Sequence, residues 1–378
     1  MDFEFASPVK IVQRTARDFA RQAVAPLVPG MEETGKFPRP LIRQMAEVGL
    51  LGLVTPKKYG GSELGYLART VALAEISKVS AAVGMSLQVH HMQAAALLDW
   101  ASKEQKDEYL PRLCRGEYLG TVAVTEPTGG SDLLGMATTA RPERGGYLLN
   151  GSKCFITNAH LSGAPMIVAK TGEGSRGLSA FIVEKGAPGF VPGRNEHKMG
   201  MRGADTGELF FKNCRDPASG LMGDEGEGMK AALKTISEVG RPGMAAVALG
   251  ILEASYDEAL KFSKSRTLYG KPIANLQAIQ WHVADIMVDL EATRLLCYRA
   301  SWLKDRGRPD AATAMTMAKV YATEAACRAS RKALEVHGGC GTMMEYAVQR
   351  LWRDAMVCVS AGGTTEIGKI VLSRAALN

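Results

Sequence analysis

The chain has 378 residues, 46% hydrophobic and 22% charged, the balance of a globular protein with two or three lobes. Its net charge of +7 comes without a long Lys/Arg block and with only 6% aromatic residues, which excludes a nucleic-acid binder and leaves a mild field suited to an acidic substrate. Seven scattered cysteines without a Cys-x-x-Cys pair read as reduced thiols of a cytoplasmic protein.

The segment Met1–Val12 lacks a basic start followed by a long apolar run, so no secretory signal is expected. No uncharged apolar stretch is long enough to predict a membrane span. From Pro8 to about Gly120 apolar residues recur at helical spacing, as in Val71–Val79 and Met92–Trp100, which predicts a helical domain over residues 1–120. Short β-type runs follow over 121–226: Thr121–Thr125, Gly146–Asn150, Met166–Lys170, Leu178–Glu184 and Glu208–Asn213, separated by Gly- and Pro-rich turns. Over 227–378 helices return, the longest expected at Gly243–Lys264, Gln280–Arg306 and Ala311–Val336. The pattern is α+β, a β domain between an N-terminal helical domain and a C-terminal helical bundle.

Six dispersed histidines give no metal-ligand spacing, and no nucleophile elbow, Walker loop or strand-linked Gly-x-Gly-x-x-Gly is present, so a metal centre and a Rossmann nicotinamide site are not expected. Other phrases stand out, in order. They are Val124-Thr125-Glu126-Pro127-Thr128-Gly129-Gly130-Ser131-Asp132, Asn150-Gly151-Ser152-Lys153-Cys154-Phe155-Ile156-Thr157-Asn158, and Lys198-Met199-Gly200-Met201-Arg202 with Thr206. Next come Arg266-Thr267-Leu268-Tyr269-Gly270-Lys271-Pro272-Ile273 with Gln277, His337-Gly338-Gly339-Cys340-Gly341, Arg353-Asp354-Ala355 and Gly363-Thr364-Thr365-Glu366-Ile367. Each alone is weak; together and in this order they resemble the acyl-CoA dehydrogenase family.

The resemblance implies that fold, with a four-helix bundle at the C-terminus, and FAD as cofactor. It implies flavin contacts from Val124, Thr125, Gly130 and Ser131, where glycine permits close backbone approach, and from Phe155 and Thr157. Arg266, Tyr269, Gln277, Gly338 and Gly339 would reach the FAD of a neighbouring subunit in a homotetramer or dimer, Arg266 as a bidentate phosphate partner. Thr364 and Glu366 would complete the cofactor site. Ser131, Glu238, Arg241 and Gly362 would contact the acyl-CoA, and an electron-transferring flavoprotein would take the electrons. Glu335 stands where the family commonly has glutamine, and a carboxylate beside a pyrophosphate is unfavourable unless it is paired or turned away.

A larger departure concerns the base. Removing a thioester α-proton needs a general base and hydrogen-bond donors on the carbonyl. The family's Glu-Gly-Thr phrase reads Gly362-Gly363-Thr364 here, and the alternative glutamate position, before Arg241, is Gly240. Gly362 keeps its N–H for the carbonyl, and the missing side chain leaves room for a branched or cyclic acyl group. For the proton the sequence offers His91, with its neighbour His90, on a helix that lines the acyl pocket in the family; Asp99 is placed to orient His91 or simply to cap a solvated edge. A purely structural histidine pair fits the same residues. The expected function is oxidoreduction at the α,β carbons of an acyl-CoA with a non-standard base. The rivals are desulfination or flavin-dependent oxygenation on the same scaffold, and an FAD-bearing scaffold subunit.

Overall fold

The computed structural model describes residues 4–377, the side chain of Ser175 excepted. The N-terminal lobe holds α1 (Ser7–Phe19), α2 (Val28–Thr34), α3 (Pro40–Glu47), α4 (Gly65–Val79), α5 (Ala81–Trp100) and α6 (Lys103–Cys114). Ten of the fifteen residues of α4 and seventeen of the twenty of α5 are buried, as expected of helices packed on most of their circumference. The hydroxyl of Ser80 accepts from the Val83 N–H and starts α5, and Ser102 with Gln105 forms a capping box on α6.

One mixed sheet forms the middle of the chain: β1 (Val122–Ala123), β2 (Thr139–Glu143), β3 (Gly146–Thr157), β4 (Met166–Lys170), β5 (Leu178–Ile182), β6 (Phe190–Asn195), β7 (Thr206–Pro217) and β8 (Leu221–Met222). The order is β6-β7-β3-β2-β4-β5-β8, with β1 parallel to β4. The β3–β7 register slips between Lys153 and Ile156, and within that bulge Phe155 takes φ +56°.

The C-terminal lobe contains α7 (Gly228–Thr235), α8 (Arg241–Ser265), the small hairpin β9 (Thr267–Leu268) and β10 (Lys271–Pro272), α9 (Gln277–Asp305), α10 (Ala311–His337), α11 (Ala347–Ser360) and α12 (Thr365–Leu377). Between α7 and α8 the backbone makes a wide π turn over Ile236–Gly240, where the Arg241 N–H reaches back to the Ile236 carbonyl. Pro242, which has no N–H to donate, follows at once. Buried Ala314, Ala318, Ala322, Ala325, Ala329 and Ala333 give α10 a small-residue face in the same core as Ala245 and Ala248 of α8. On α9, Trp281, Met287, Val288 and Leu295 remain exposed, an apolar side of the kind that marks an interaction surface. Among the described residues no single helix is long and apolar enough to cross a membrane. The fold is α+β, helical, then β, then helical, as the sequence predicts.

Candidate functional site

In the β lobe, a buried ion pair pins the loop after β1. The Lys153 ammonium donates to Glu126 at 2.8 Å and to the Val124 carbonyl at 3.2 Å, while Glu126 accepts the N–H groups of Ala137 (2.6 Å) and Thr138 (3.0 Å). Burial pulls Lys153 down to about 8, against the pull of Glu126. The Cys154 N–H donates to the Thr125 carbonyl at 3.0 Å, tying β3 to the same loop. Val124, Thr125, Phe155 and Thr157 are thereby held together. Gly130 packs on Thr125: a Cβ there would lie 3.1 Å from its Oγ1. Phe155, pushed out by the bulge, is 66% exposed, a large apolar ring presented rather than packed. Ser131 is exposed on the same loop.

A second group gathers at the ends of α8 and α10. Phe262 stacks on His337 at 4.1 Å, bringing the loop that starts at Arg266 next to Gly338 and Gly339. Gly338 has φ +56°, and the side-chain directions of both glycines are open. Tyr269, also at positive φ, is 94% exposed; Gln277 opens α9 nearby. Among the described residues no hydrogen bond or ion pair joins this group to the β-lobe loop. Glu335 turns to Arg331 (3.0 Å) and His282 (3.9 Å), so its carboxylate is engaged on the helix surface.

The loop between α11 and α12 holds the third group. Gly362 has φ +70°, and a Cβ on it would meet Met244 Cγ at 3.2 Å and the Gly240 carbonyl oxygen at 3.7 Å. Gly362 and Gly240 therefore face one another. A Cβ on Gly240 would meet the Met92 methyl at 3.1 Å. The fully buried Lys319 of α10 donates to the carbonyls of Val359 (2.7 Å) and Gly363 (2.6 Å), which fixes the backbone on both sides of Gly362; burial lowers its ammonium to about 8. Thr364 then caps α12, its hydroxyl accepting from the Ile367 N–H at 3.4 Å. Glu366 sits in the first turn, and its carboxyl is lowered by backbone and Thr364 hydrogen bonds.

Beside this loop runs a groove of about 930 Å³ whose lining includes Arg176, Lys230, Lys234, Glu238, Arg241 and Thr316. Arg241 donates to Thr316 Oγ1 at 2.9 Å, and burial lowers its guanidinium. Glu238 forms an ion pair with Lys304. Both residues line the groove, and Arg241 directly follows Gly240 in the chain.

His91 requires a correction. It is fully buried: its Nε2 bonds the Leu50 carbonyl at 2.9 Å, and its Nδ1 accepts from Arg69 Nε at 3.3 Å. Burial, then the neighbouring Arg69 charge, pushes its pKa well below the usual value. With both ring nitrogens engaged, no lone pair is left to take a proton. His90 is equally enclosed, between the Leu51 carbonyl (3.0 Å) and the Gly120 N–H (3.1 Å), and burial pushes it down to about 4. Asp99 does not orient His91; it pairs with Lys234 at 2.9 Å. The pair is structural because carbonyls from the turn at Leu50–Gly52 and a guanidinium from α4 arrive from other parts of the chain. Sequence reading missed Arg69 and Lys319. The signal available was a lone cation within an Ala- and Leu-rich helical run.

Models of the acyl-CoA dehydrogenase N-terminal, middle and C-terminal domains match residues 9–117, 121–214 and 226–377. An acyl-CoA dehydrogenase of Bacillus subtilis is 42% identical over 96% of this chain and 96% of its own length. An acryloyl-CoA reductase (NADH) of Anaerotignum propionicum is 40% identical over 99% of this chain and 95% of its own. Butyryl-CoA dehydrogenase from Megasphaera elsdenii, 35% identical, superposes with a TM-score of 0.97 over 100% of both chains. The chain belongs to the acyl-CoA dehydrogenase family. It is an oxidoreductase of the class that acts on CH–CH groups.

Proposed function

We propose that the chain binds FAD and acts at the α,β carbons of an acyl-CoA thioester without a carboxylate base at the α-carbon. The observation that carries this reading is the apposition of Gly362 and Gly240, 3.7 Å from would-be Cβ to carbonyl oxygen. The nearest atoms to the two glycine side-chain directions belong to Met92, Met244 and backbone; none is an acid or a base. With His91 and His90 enclosed, the α-proton exchanges with a non-standard partner, and water admitted to the glycine gap is the simplest one.

The residues present fit a flavin. Gly130 and Ser131 sit on a loop pinned by Lys153 and Glu126, Thr125 and Thr157 stand beside the projecting Phe155, and Gly338 with Gly339 offers an uncovered backbone cradle. Bound FAD supplies the two-electron acceptor. Arg266, Tyr269 and Gln277 serve the FAD of a second copy, which calls for a dimer or tetramer; the apolar side of α9 suits such assembly. The Gly362 N–H, held by Lys319 through Val359 and Gly363, donates to the thioester oxygen. Arg241 and Glu238 border the entrance taken by CoA. Without a side chain at Gly362 or Gly240, and with the mobile thioethers of Met92 and Met244 able to give way, the site suits a branched or cyclic acyl group, and an electron-transferring flavoprotein is the acceptor the family suggests.

The test restores a carboxylate at each glycine and reads anaerobic flavin bleaching with straight-chain acyl-CoAs. Gly240 is helical (φ −65°) and its obstruction is a mobile thioether end, whereas a side chain at Gly362 must bear φ +70°. Gly240→Glu is therefore expected to raise the bleaching rate more than Gly362→Glu, toward the roughly 10²–10⁴-fold of general base catalysis. If both variants hold FAD and acyl-CoA normally and neither gains, a missing base is not the difference. Protein that stays colourless with added FAD overturns the reading altogether.

A further inference from the structure

We propose that Asp354 is a positioning residue that fixes the separation between the flavin and the thioester carbonyl. This rests on the reading above, that the flavin lies beside Thr157 and the thioester oxygen on the Gly362 N–H. Two of the phrases picked out in the sequence, Lys198-Met199-Gly200-Met201-Arg202 and Arg353-Asp354-Ala355, have no part in the groups already described, and they meet in the fold. The Met201 N–H donates to Asp354 Oδ1 at 2.5 Å, and Asp354 is 1% exposed. The loop lies directly on α11: a Cβ on Gly200 would come within 2.2 Å of the Arg353 carbonyl oxygen, so only glycine fits there. Met201 takes φ +48°, a conformation that a residue with a side chain keeps only where its surroundings over-determine it. Burial raises the Asp354 carboxyl to about 6, against the pull of Arg350 and of the Met201 N–H, so it is ionised at neutral pH. The constraint on Met201 is thus a charge-assisted hydrogen bond.

The contact reaches both halves of the site. On the flavin side the Asn158 N–H donates to the Asp205 carbonyl at 2.8 Å, and Thr206 is the strand partner of Thr157. A shift of the 198–206 loop is thereby carried to the strand that holds Phe155 and Thr157. On the thioester side α11 runs on from Asp354 to Ser360, and Lys319 holds its last turn through Val359 just before Gly362. Other contacts keep the lobes together whether or not Asp354 is present. Arg353 donates to the Met199 carbonyl at 2.6 Å and to Glu32 at 2.7 Å, and Arg202 donates to the Glu32 carbonyl at 2.7 Å. What Asp354 adds is the placing of one backbone N–H on the path between strand and loop. Rate responds steeply to such placing, since a displacement of about 1 Å from the productive geometry can cost ~10²-fold.

Asp354→Leu removes the acceptor, Gly200→Ala lifts the loop from α11, and Asp354→Asn keeps an oxygen for the Met201 N–H. Each FAD-loaded protein, reduced anaerobically with one equivalent of dithionite, would be mixed with crotonyl-CoA, which takes a hydride at its β-carbon and a proton at its α-carbon. The reoxidation rate at saturation and the dissociation constant are recorded. The oxidised proteins are titrated with the same thioester, and the change in the flavin's visible spectrum reports how the two are stacked without turnover. Asp354→Leu and Gly200→Ala are expected to slow reoxidation by about 10- to 100-fold and to alter the difference spectrum, with FAD content and dissociation constant kept. Asp354→Asn should stay near wild type in both. Amide exchange in the FAD-loaded disruptive variants should rise over 361–364 together with 198–206. A rise over 198–206 alone overturns the proposal, because the loop would not be coupled to Gly362. Wild-type rate and spectrum in either disruptive variant with full FAD also overturn it. So does loss of FAD from both, since the contact would then hold the cofactor rather than set a distance. If crotonyl-CoA neither perturbs nor reoxidises the wild-type flavin, the acyl-CoA reading falls and the positioning role with it.

Discussion

Lys153 and Arg69 are both buried cations, in different lobes of the protein, and they are buried differently. Lys153 in the β lobe meets a carboxylate, Glu126, which in turn accepts two backbone N–H groups. Arg69, between α4 and the π turn, meets carbonyls and an imidazole but no carboxylate. Asp216 on β7 is a third case, a buried carboxyl whose Oδ2 has no partner. Burial raises it to about 7, so it can hold a proton and shed its charge. Arg69 has no such escape at neutral pH. Lys153 is neutralised by a carboxylate, Asp216 can neutralise itself, and Arg69 is balanced by neutral acceptors alone.

The comparison is tested most severely at the closed pair. Glu126→Gln leaves Lys153 buried without its counter-charge and should cost about 3–5 kcal/mol in denaturant unfolding. FAD should be lost with the loop that carries Thr125 and Ser131; a variant of unchanged stability would mean that the pair is not closed in solution. Next in size, Arg266→Ala should weaken FAD retention by about 1.5–3 kcal/mol if a second copy's phosphates are its partner. The check is cofactor content after dialysis.

Asp216→Asn should act through pH. Between the ordinary aspartate range and about 7 the folded protein binds a proton that the unfolded chain has released, so this group's contribution to stability falls as pH rises through that window. Relative to the wild type, the variant should gain stability between pH 4 and pH 8 in unfolding midpoints. A constant difference across that range contradicts a raised carboxyl. The smallest effect on rate is expected from His91→Gln: flavin reduction at saturating substrate should stay within a few-fold of wild type per bound FAD. A loss of about 10²-fold or more would restore the histidine as the base.

The fold was legible because its textures differ along the chain, from alanine-rich helical runs to short β runs and back. The site was legible in pieces. Gly362 and Gly240 could each be singled out from the phrases around them, but only the folded chain shows that they face each other. For His91, helical spacing says which way the ring points along its own helix and nothing of what meets it. The Leu50 carbonyl and the Arg69 guanidinium come from elements far off in sequence. Arg69 was hidden for the same reason, since a single cation in an apolar run looks like the solvated edge of a helix.

The wide turn at Ile236–Gly240 sets the angular phase between α7 and α8. One residue more or fewer there would swing every side chain of α8 by about 100° relative to α7. Gly240 would leave Gly362, Gly243 would leave Arg69, and Arg241 would leave the groove in a single step. Point substitutions can adjust these contacts one by one, but a length change at this turn would scramble them all together. Among relatives, the length of this short segment should therefore vary far less than the residues that compose it.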